Sequence, residues 1–202
     1  MYLDHLVILA NDLEAGVAHA EASLGLRPQP GGRHVRFGTH NALLSIGEGL
    51  YLEVLAPEPE AQHPGKPRWL GLEGFDGPPR LANWVCATDD LDEALDDAPF
   101  AGEPVNLQRG DLRWRIAIPA DGRLPMGGAF PTLIQWETQP CGTCLPDRGC
   151  RLRSVAIQAP LAREALVAMG GELPDGRVTL TGADAFRISA EIDTPDGPRH
   201  LA

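Results

Sequence analysis

The sequence predicts an α+β fold built on a duplicated strand–helix–strand–strand unit, and three observations carry that prediction. Residues 31–55, GGRHVRFGTHNALLSIGEGLYLEVL, hold two short alternating runs on either side of Gly47-Glu48-Gly49, the pattern of two antiparallel strands with a loop before them. Residues 81–98, LANWVCATDDLDEALDDA, repeat residues 3–20 at a shift of 78, which sets Asn11-Asp12-Leu13 on Asp89-Asp90-Leu91, Val7 on Val85 and His5 on Asn83. A period near 80 residues is too long for a solenoid and fits a duplicated βαββ-type module. A shorter version of the same pattern follows residue 151.

Taken in order, residues 3–9 alternate His5, Val7 and Leu9 with Leu6 and Ile8 and form a strand. Asn11 or Asp12 can cap a helix that runs to Leu24 and ends at Gly25. Pro28, Pro30, Gly31 and Gly32 then break regular structure. In the two strands that follow, Asn41, Leu43 and Ser45 share one face, as do Tyr51, Glu53 and Leu55. The opposite face, Ala42, Leu44, Ile46, Leu50, Leu52 and Val54, is wholly apolar. Leu and Tyr around a single carboxylate describe the wall of a cavity with a polar centre.

Residues 57–80 are a proline-rich connector, ordered only in part, with Trp69, Leu70 and Leu72 as anchors. The second copy continues with strands at 112–119 and 131–137 around a Gly- and Pro-rich loop, and Glu137 closes it as Glu53 closes the first. Residues 138–151 form a second linker. Beyond it come a strand at 152–158, a helix at 161–168 ended by Gly170-Gly171, and strands at 178–181 and 185–192. The expected organisation is a first module at 1–56, a second at 81–138, and an architectural third unit at 152–202 packed on the same domain.

At 202 residues and 43% hydrophobic content the chain can bury a real core. A net charge of −11 argues against nucleic acid and anionic membranes as partners, since both call for clustered Lys and Arg. The first residues lack a basic leader region, and no apolar run approaches the ~18 residues that span a bilayer. The expected location is the cytoplasm and the expected partner a small-molecule substrate, with a homodimer left open. Cys86, Cys141, Cys144 and Cys150 should then be reduced unless they hold metal.

Each candidate residue has a functional and a bland reading. His5 is a ligand or a hydrogen-bonded core histidine. Glu53, on a strand that should be buried, costs several kcal/mol unless a cation or donors meet it, on the order of buried-charge penalties; its bland reading is a salt bridge to Arg33 or Arg36. Glu137 shares a face with Leu133 and Gln135, but it ends its strand and could reach solvent. Arg33, His34, Thr39 and Asn41, with His40 beside them, form either a substrate-binding rim or a tight bend at Gly38-Thr39. Cys141-x-x-Cys144 with Cys150 suggests zinc, but only His200 or a distant cysteine could supply the fourth ligand. No dinucleotide, P-loop or nucleophile-elbow motif occurs, which favours Lewis-acid chemistry over covalent catalysis.

LDHLVI, GGRHVRFGTHNALLSIG and YLEVLAP, with a second module ending PTLIQWE, resemble the glyoxalase-like branch of the vicinal oxygen chelate superfamily. The resemblance covers roughly the whole chain. It implies two paired βαβββ modules that form an open-sided barrel around a divalent metal, here followed by a short C-terminal βαββ unit. It also implies ligands from the first and last strands of each module. Those positions are His5, Glu53, Asn83 and Glu137, and Asn83 departs from the usual histidine. His5, Glu53 and Glu137 are thus the implied ligands to Fe²⁺, Mn²⁺, Ni²⁺ or Zn²⁺, with Glu53 and Glu137 as catalytic carboxylates. The implied activity is that of a lyase, isomerase or dioxygenase acting on vicinal oxygens. The alternative is a metal-free protein of the same fold that binds or sequesters a small molecule.

Overall fold

The computed structural model describes residues 1–62, 65 and 67–202. The first module runs β1 (Tyr2–Leu9), α1 (Leu13–Leu24), β2 (Gln29–His34), β3 (Thr39–Ser45) and β4 (Tyr51–Pro57). The second runs β5 (Arg80–Ala87), α2 (Leu91–Asp97), β6 (Glu103–Arg109), β7 (Leu112–Ile118) and β8 (Thr132–Trp136). Together they make one curled eight-stranded sheet in the order β2-β3-β4-β1-β5-β8-β7-β6. In each half the first strand lies parallel to the last, β1 to β4 and β5 to β8, and the halves join through the antiparallel β1–β5 pair. The fold is therefore two βαβββ modules related as a pair, and the repeat at a shift of 78 marks the strands that meet at its axis.

Local chemistry sets the helix ends. Asp12 caps α1 by accepting from the Ala15 N–H at 2.9 Å, and Gly25, in the left-handed region at φ 74°, closes it on the Glu21 carbonyl. Asp90 caps α2 in the same way, through the N–H groups of Asp92 and Glu93. Gly16 brings α1 close to the sheet, for a Cβ there would stand 2.5 Å from Val54 Cγ1.

Strand parity then splits the buried residues into two layers. Leu6, Ile8, Ala42, Leu44, Leu52, Val54 and Trp84 face the helices, while Val7, Leu9, Leu55, Val85, Trp114, Ile116 and Ile134 face the hollow of the sheet with Trp69, Leu70 and Leu72 of the connector. Connector residues 63, 64 and 66 lie outside the described residues, so its expected partial order is not addressed. Gln29–His34, expected to be irregular, is an edge strand with a register shift between Pro30 and Arg33. Glu103–Arg109, which the sequence reading passed over, is the opposite edge.

The third unit contains β9 (Arg151–Ala159), α3 (Ala162–Ala168), β10 (Val178–Gly182), β11 (Arg187–Thr194) and a further strand, β12 (Gly197–Leu201). Its order, β10-β9-β11-β12, pairs the first strand with the one directly after the helix, so it repeats the element sequence of the modules without their strand order. Its inward residues, among them Leu152, Val155, Ile157, Ile188, Ile192 and Leu201, belong to the same apolar cluster as Leu3, Leu6 and Leu52. Among the described residues, no helix is long and apolar enough to cross a membrane.

Candidate functional site

The hollow of the sheet closes over a small cavity lined by His5, His34, Asn41, Leu43, Tyr51, Glu53, Trp69, Leu70, Arg109, Trp114, Ile116, Ile134, Trp136 and Cys141. Its volume is about 30 Å³, room for roughly a water molecule. The face of Asn41, Leu43, Tyr51 and Glu53 thus lines a cavity, as the alternation in residues 41–55 requires.

A chain of polar contacts crosses its wall. The β1–β5 register shifts between Leu3 and His5, and this bulge lets the consecutive Asp4 and His5 both serve the cavity side. His5 Nδ1 meets Asp4 Oδ1 at 2.6 Å, and Trp136 Nε1 donates to Asp4 Oδ2 at 2.8 Å. On its other side His5 Nε2 stands 3.5 Å from Glu53 Oε2, and its ring stacks on Tyr51 with centroids 4.4 Å apart. Asn41 Nδ2 donates to Glu53 Oε1 at 2.5 Å. Asn41 Oδ1 accepts from the Gly32 N–H at 2.8 Å and from Arg109 Nη1 at 3.2 Å. Arg109 also reaches His34 Nε2 at 3.3 Å, while His34 Nδ1 meets the Thr39 hydroxyl, which accepts from Trp69 Nε1 at 3.2 Å.

The electrostatics follow from these contacts. Burial works against the His5 imidazolium, but hydrogen bonds to Asp4 and Glu53, and their charges, overcome it and push its pKa up to about 9. Burial likewise opposes ionised Glu53, yet the hydrogen bond and charge of His5, with the Asn41 amide, hold it at about 2. At neutral pH the two form an ion pair. His34 behaves in the opposite way: burial, helped by the Arg109 charge, lowers it to about 4 and leaves it neutral. A neutral His34 can accept from Arg109 at Nε2 and donate from Nδ1 to Thr39. Burial raises Tyr51 well above its ordinary value and Cys141 to about 11, so both keep their protons.

Several expected residues stand elsewhere. Glu137 follows the end of β8 and is exposed, because Ile134 and Trp136 take the cavity face and leave Leu133, Gln135 and Glu137 on the other. Arg33 is exposed and pairs with Glu58 at 3.1 Å and Glu60 at 3.5 Å, away from Glu53. His40 also turns to Glu58, at 3.3 Å. Asn83 is fully buried but occupied: its amide donates to Thr132 Oγ1 and its oxygen accepts from the Trp84 N–H. Cys150 lies in the core, Cys144 is exposed and His200 pairs with Glu191, so the cysteines do not converge. Arg109 and Trp114, which the sequence does not single out, complete the wall, with Asp4 bonded to His5 and Trp136 of its lining; Cys141 lines the cavity as well, though no zinc site forms around it.

Among the described residues, no three His, Cys, Asp or Glu side chains are arranged to hold a metal ion. Of the four implied ligand positions only His5 and Glu53 face each other, and a guanidinium stands on the same wall. The donor set therefore does not fit a metal centre of the kind the resemblance implies.

A profile of the family described as Glyoxalase-like domain matches residues 3–171. No curated protein matches significantly. Among solved structures, a hypothetical protein from Staphylococcus aureus superposes with a TM-score of 0.59 at 14% identity, covering 92% of this chain and 87% of that one. A methylmalonyl-CoA epimerase from Mycobacterium tuberculosis has a TM-score of 0.44 at 21% identity, over 69% of this chain and 89% of its own. A Streptomyces coelicolor methylmalonyl-CoA epimerase, in complex with 2-nitronate-propionyl-CoA, has 0.45 at 20%, over 67% and 96%. The staphylococcal likeness is one of fold, and its coverage extends into the third unit.

Proposed function

This chain belongs to the glyoxalase-like domain family, and from that premise we propose that it binds a small oxygenated molecule in the cavity between its two modules without a resident metal ion. The observation that carries the reading is the internal neutralisation of the wall: His5 is held as an imidazolium between Asp4 and Glu53, and Glu53 is met by His5 and Asn41. Among the described residues no third His, Cys, Asp or Glu side chain is placed with His5 and Glu53 to hold an ion, and both already have polar partners within the wall. Apolar walls from Tyr51, Trp114 and Trp136 would cover the body of a ligand, while Arg109 supplies donors for its oxygens.

The test is a melting-temperature screen of oxygenated small molecules in the presence of a chelator, repeated with Leu43→Trp, which fills the cavity. Hits that persist in chelator and vanish in that variant support the reading; hits that need added metal overturn it.

A second reading, an isomerase- or lyase-type enzyme, is favoured by one observation. The environments of His5 and Glu53 drive their pKa values apart, to about 9 and about 2, and so leave a protonated His5 beside a carboxylate on the cavity wall. Exchange of carbon-bound protons of a bound carbonyl compound with D₂O, followed by NMR, tests it.

A further inference from the structure

We infer that Arg109 is a latch that closes the cavity across the gap between β2 and β6 and selects a compact oxyanion, such as a carboxylate, as the ligand. The inference rests on the cavity being the binding site.

The two strands concerned are the ends of the eight-stranded order and do not pair with each other. Arg109, the last residue of β6, spans them with its side chain, bonding His34 at the end of β2 and Asn41 on β3. The edge of β2 is cut away for it. A Cβ on Gly32 would stand 2.4 Å from Arg109 Cδ, and the Gly32 backbone is not in the left-handed region, so the glycine serves space rather than conformation. Across the gap the guanidinium also approaches Cys141 Sγ, at 3.9 Å, and the Trp114 ring, at 6.0 Å from the centroid.

What Arg109 lacks points to the ligand. The acceptors around it are a neutral imidazole, an amide oxygen and a thiol, at 3.2–3.9 Å. Among the described residues, no carboxylate lies within ion-pairing distance of it, although the chain has 28 acidic residues. An arginine has five donors in a planar fork, and an oxyanion can take two of them bidentately as an ion pair, which neutral acceptors do not offer. The cavity has room for about one water, so a larger ligand needs a side chain of the wall to swing aside, and Arg109, held across the gap by neutral contacts alone, is the one we assign. The swing exchanges neutral contacts for an ion pair. Asn41 keeps the Gly32 N–H as a partner when it happens.

The probes are formate, acetate and pyruvate against neutral acetamide and acetone. Two readouts apply to the whole chain: saturable change of tryptophan fluorescence, and quenching of that fluorescence by acrylamide. Native protein should bind at least one anion at least tenfold more tightly than its neutral counterpart, and Arg109→Gln should lose that tenfold. Gly32→Ala, which displaces Arg109 without removing its charge, should raise acrylamide quenching, as should Arg109→Gln. If none of the anions binds, if neutral probes bind equally well, or if Arg109→Gln binds the anion unchanged, the oxyanion assignment is overturned. If neither variant alters quenching, the latch is overturned. Should Leu43→Trp, folded by circular dichroism, bind the anion as native protein does, the cavity is not the site and the underlying reading falls as well.

Discussion

Replacing Glu53 with Gln removes one charge from the buried chain Asp4–His5–Glu53 while nearly conserving volume. The His5 pKa stands at about 9 against an ordinary 6.5, and at about 1.4 kcal/mol per pH unit that gap is on the order of 3 kcal/mol, supplied by both carboxylates against the cost of burial. Asp4, at 2.6 Å, holds the imidazolium more closely than Glu53, at 3.5 Å, so Gln should remove the smaller contribution, on the order of 1 kcal/mol. Losing the charged acceptor for the Asn41 amide adds about 1 kcal/mol, so the variant should be about 2 kcal/mol less stable at pH 7. Because the folded pKa of His5 lies above the unfolded one, its contribution is complete below about 6.5 and is lost as pH rises through about 9. In Glu53→Gln the loss should finish roughly one pH unit lower. NMR titration of the His5 ring and urea unfolding between pH 6 and 10 measure both effects. A native His5 that titrates near 6.5, or a variant whose His5 and stability match native protein, would refute the reasoning.

Further expectations follow from neighbouring contacts. Asp4→Asn leaves His5 Nδ1 and Trp136 Nε1 without their carboxylate, so the His5 pKa should fall further than in Glu53→Gln, with about 1–3 kcal/mol lost in urea unfolding. His34 has a folded pKa below its ordinary value, so the unfolded chain binds more protons and stability should fall as pH drops from 6.5 towards about 4; replacing His34 with Gln should flatten that slope in acid-unfolding curves. Cys141 and Cys144 changed together to Ser should move the melting temperature little and remove no metal, since neither bonds strongly and they do not converge with Cys150; loss of stoichiometric zinc by elemental analysis would contradict this. A chain ending at Cys150 would strip Val155, Ile188 and Leu201 from the apolar cluster they share with Leu3 and Leu6, so it should bind a hydrophobic dye and aggregate; a stable, monomeric product would contradict it.

The parts of the molecule legible in the sequence are those where one face is apolar and the other is not. Residues 41–55 alternate cleanly, so Glu53 could be placed on the cavity wall, and the shift of 78 located β5 and α2 from β1 and α1. In β8 both faces carry large apolar residues, Leu133 outward to the helices and Ile134 with Trp136 inward. Nothing in such a run fixes parity; the match of Glu137 to Glu53 suggested the inner face, but Glu137 is exposed on the outer one, the alternative its place at the strand end had left open. Asp4 was hidden for a different reason: strict alternation sends neighbours of a strand residue to the opposite face, whereas at the bulge between Leu3 and His5 Asp4 bonds His5 and Trp136, two residues that line the cavity. Arg109 sits at the end of an edge strand, Glu103–Arg109, that has proline near its start and Gly110 after its end, and whose alternation is too weak to stand out. Its partners are 68 and 75 residues away, a juxtaposition set by the pairing of modules rather than by local pattern.

The central claim is that the cavity works without a metal ion, and titration calorimetry with pyruvate tests it most directly, on native protein in the presence of a chelator and again after addition of Mn²⁺, Ni²⁺ or Zn²⁺. The account predicts one affinity in all of these conditions and its loss in Arg109→Gln. Binding abolished by the chelator and restored by one of the metals would contradict it.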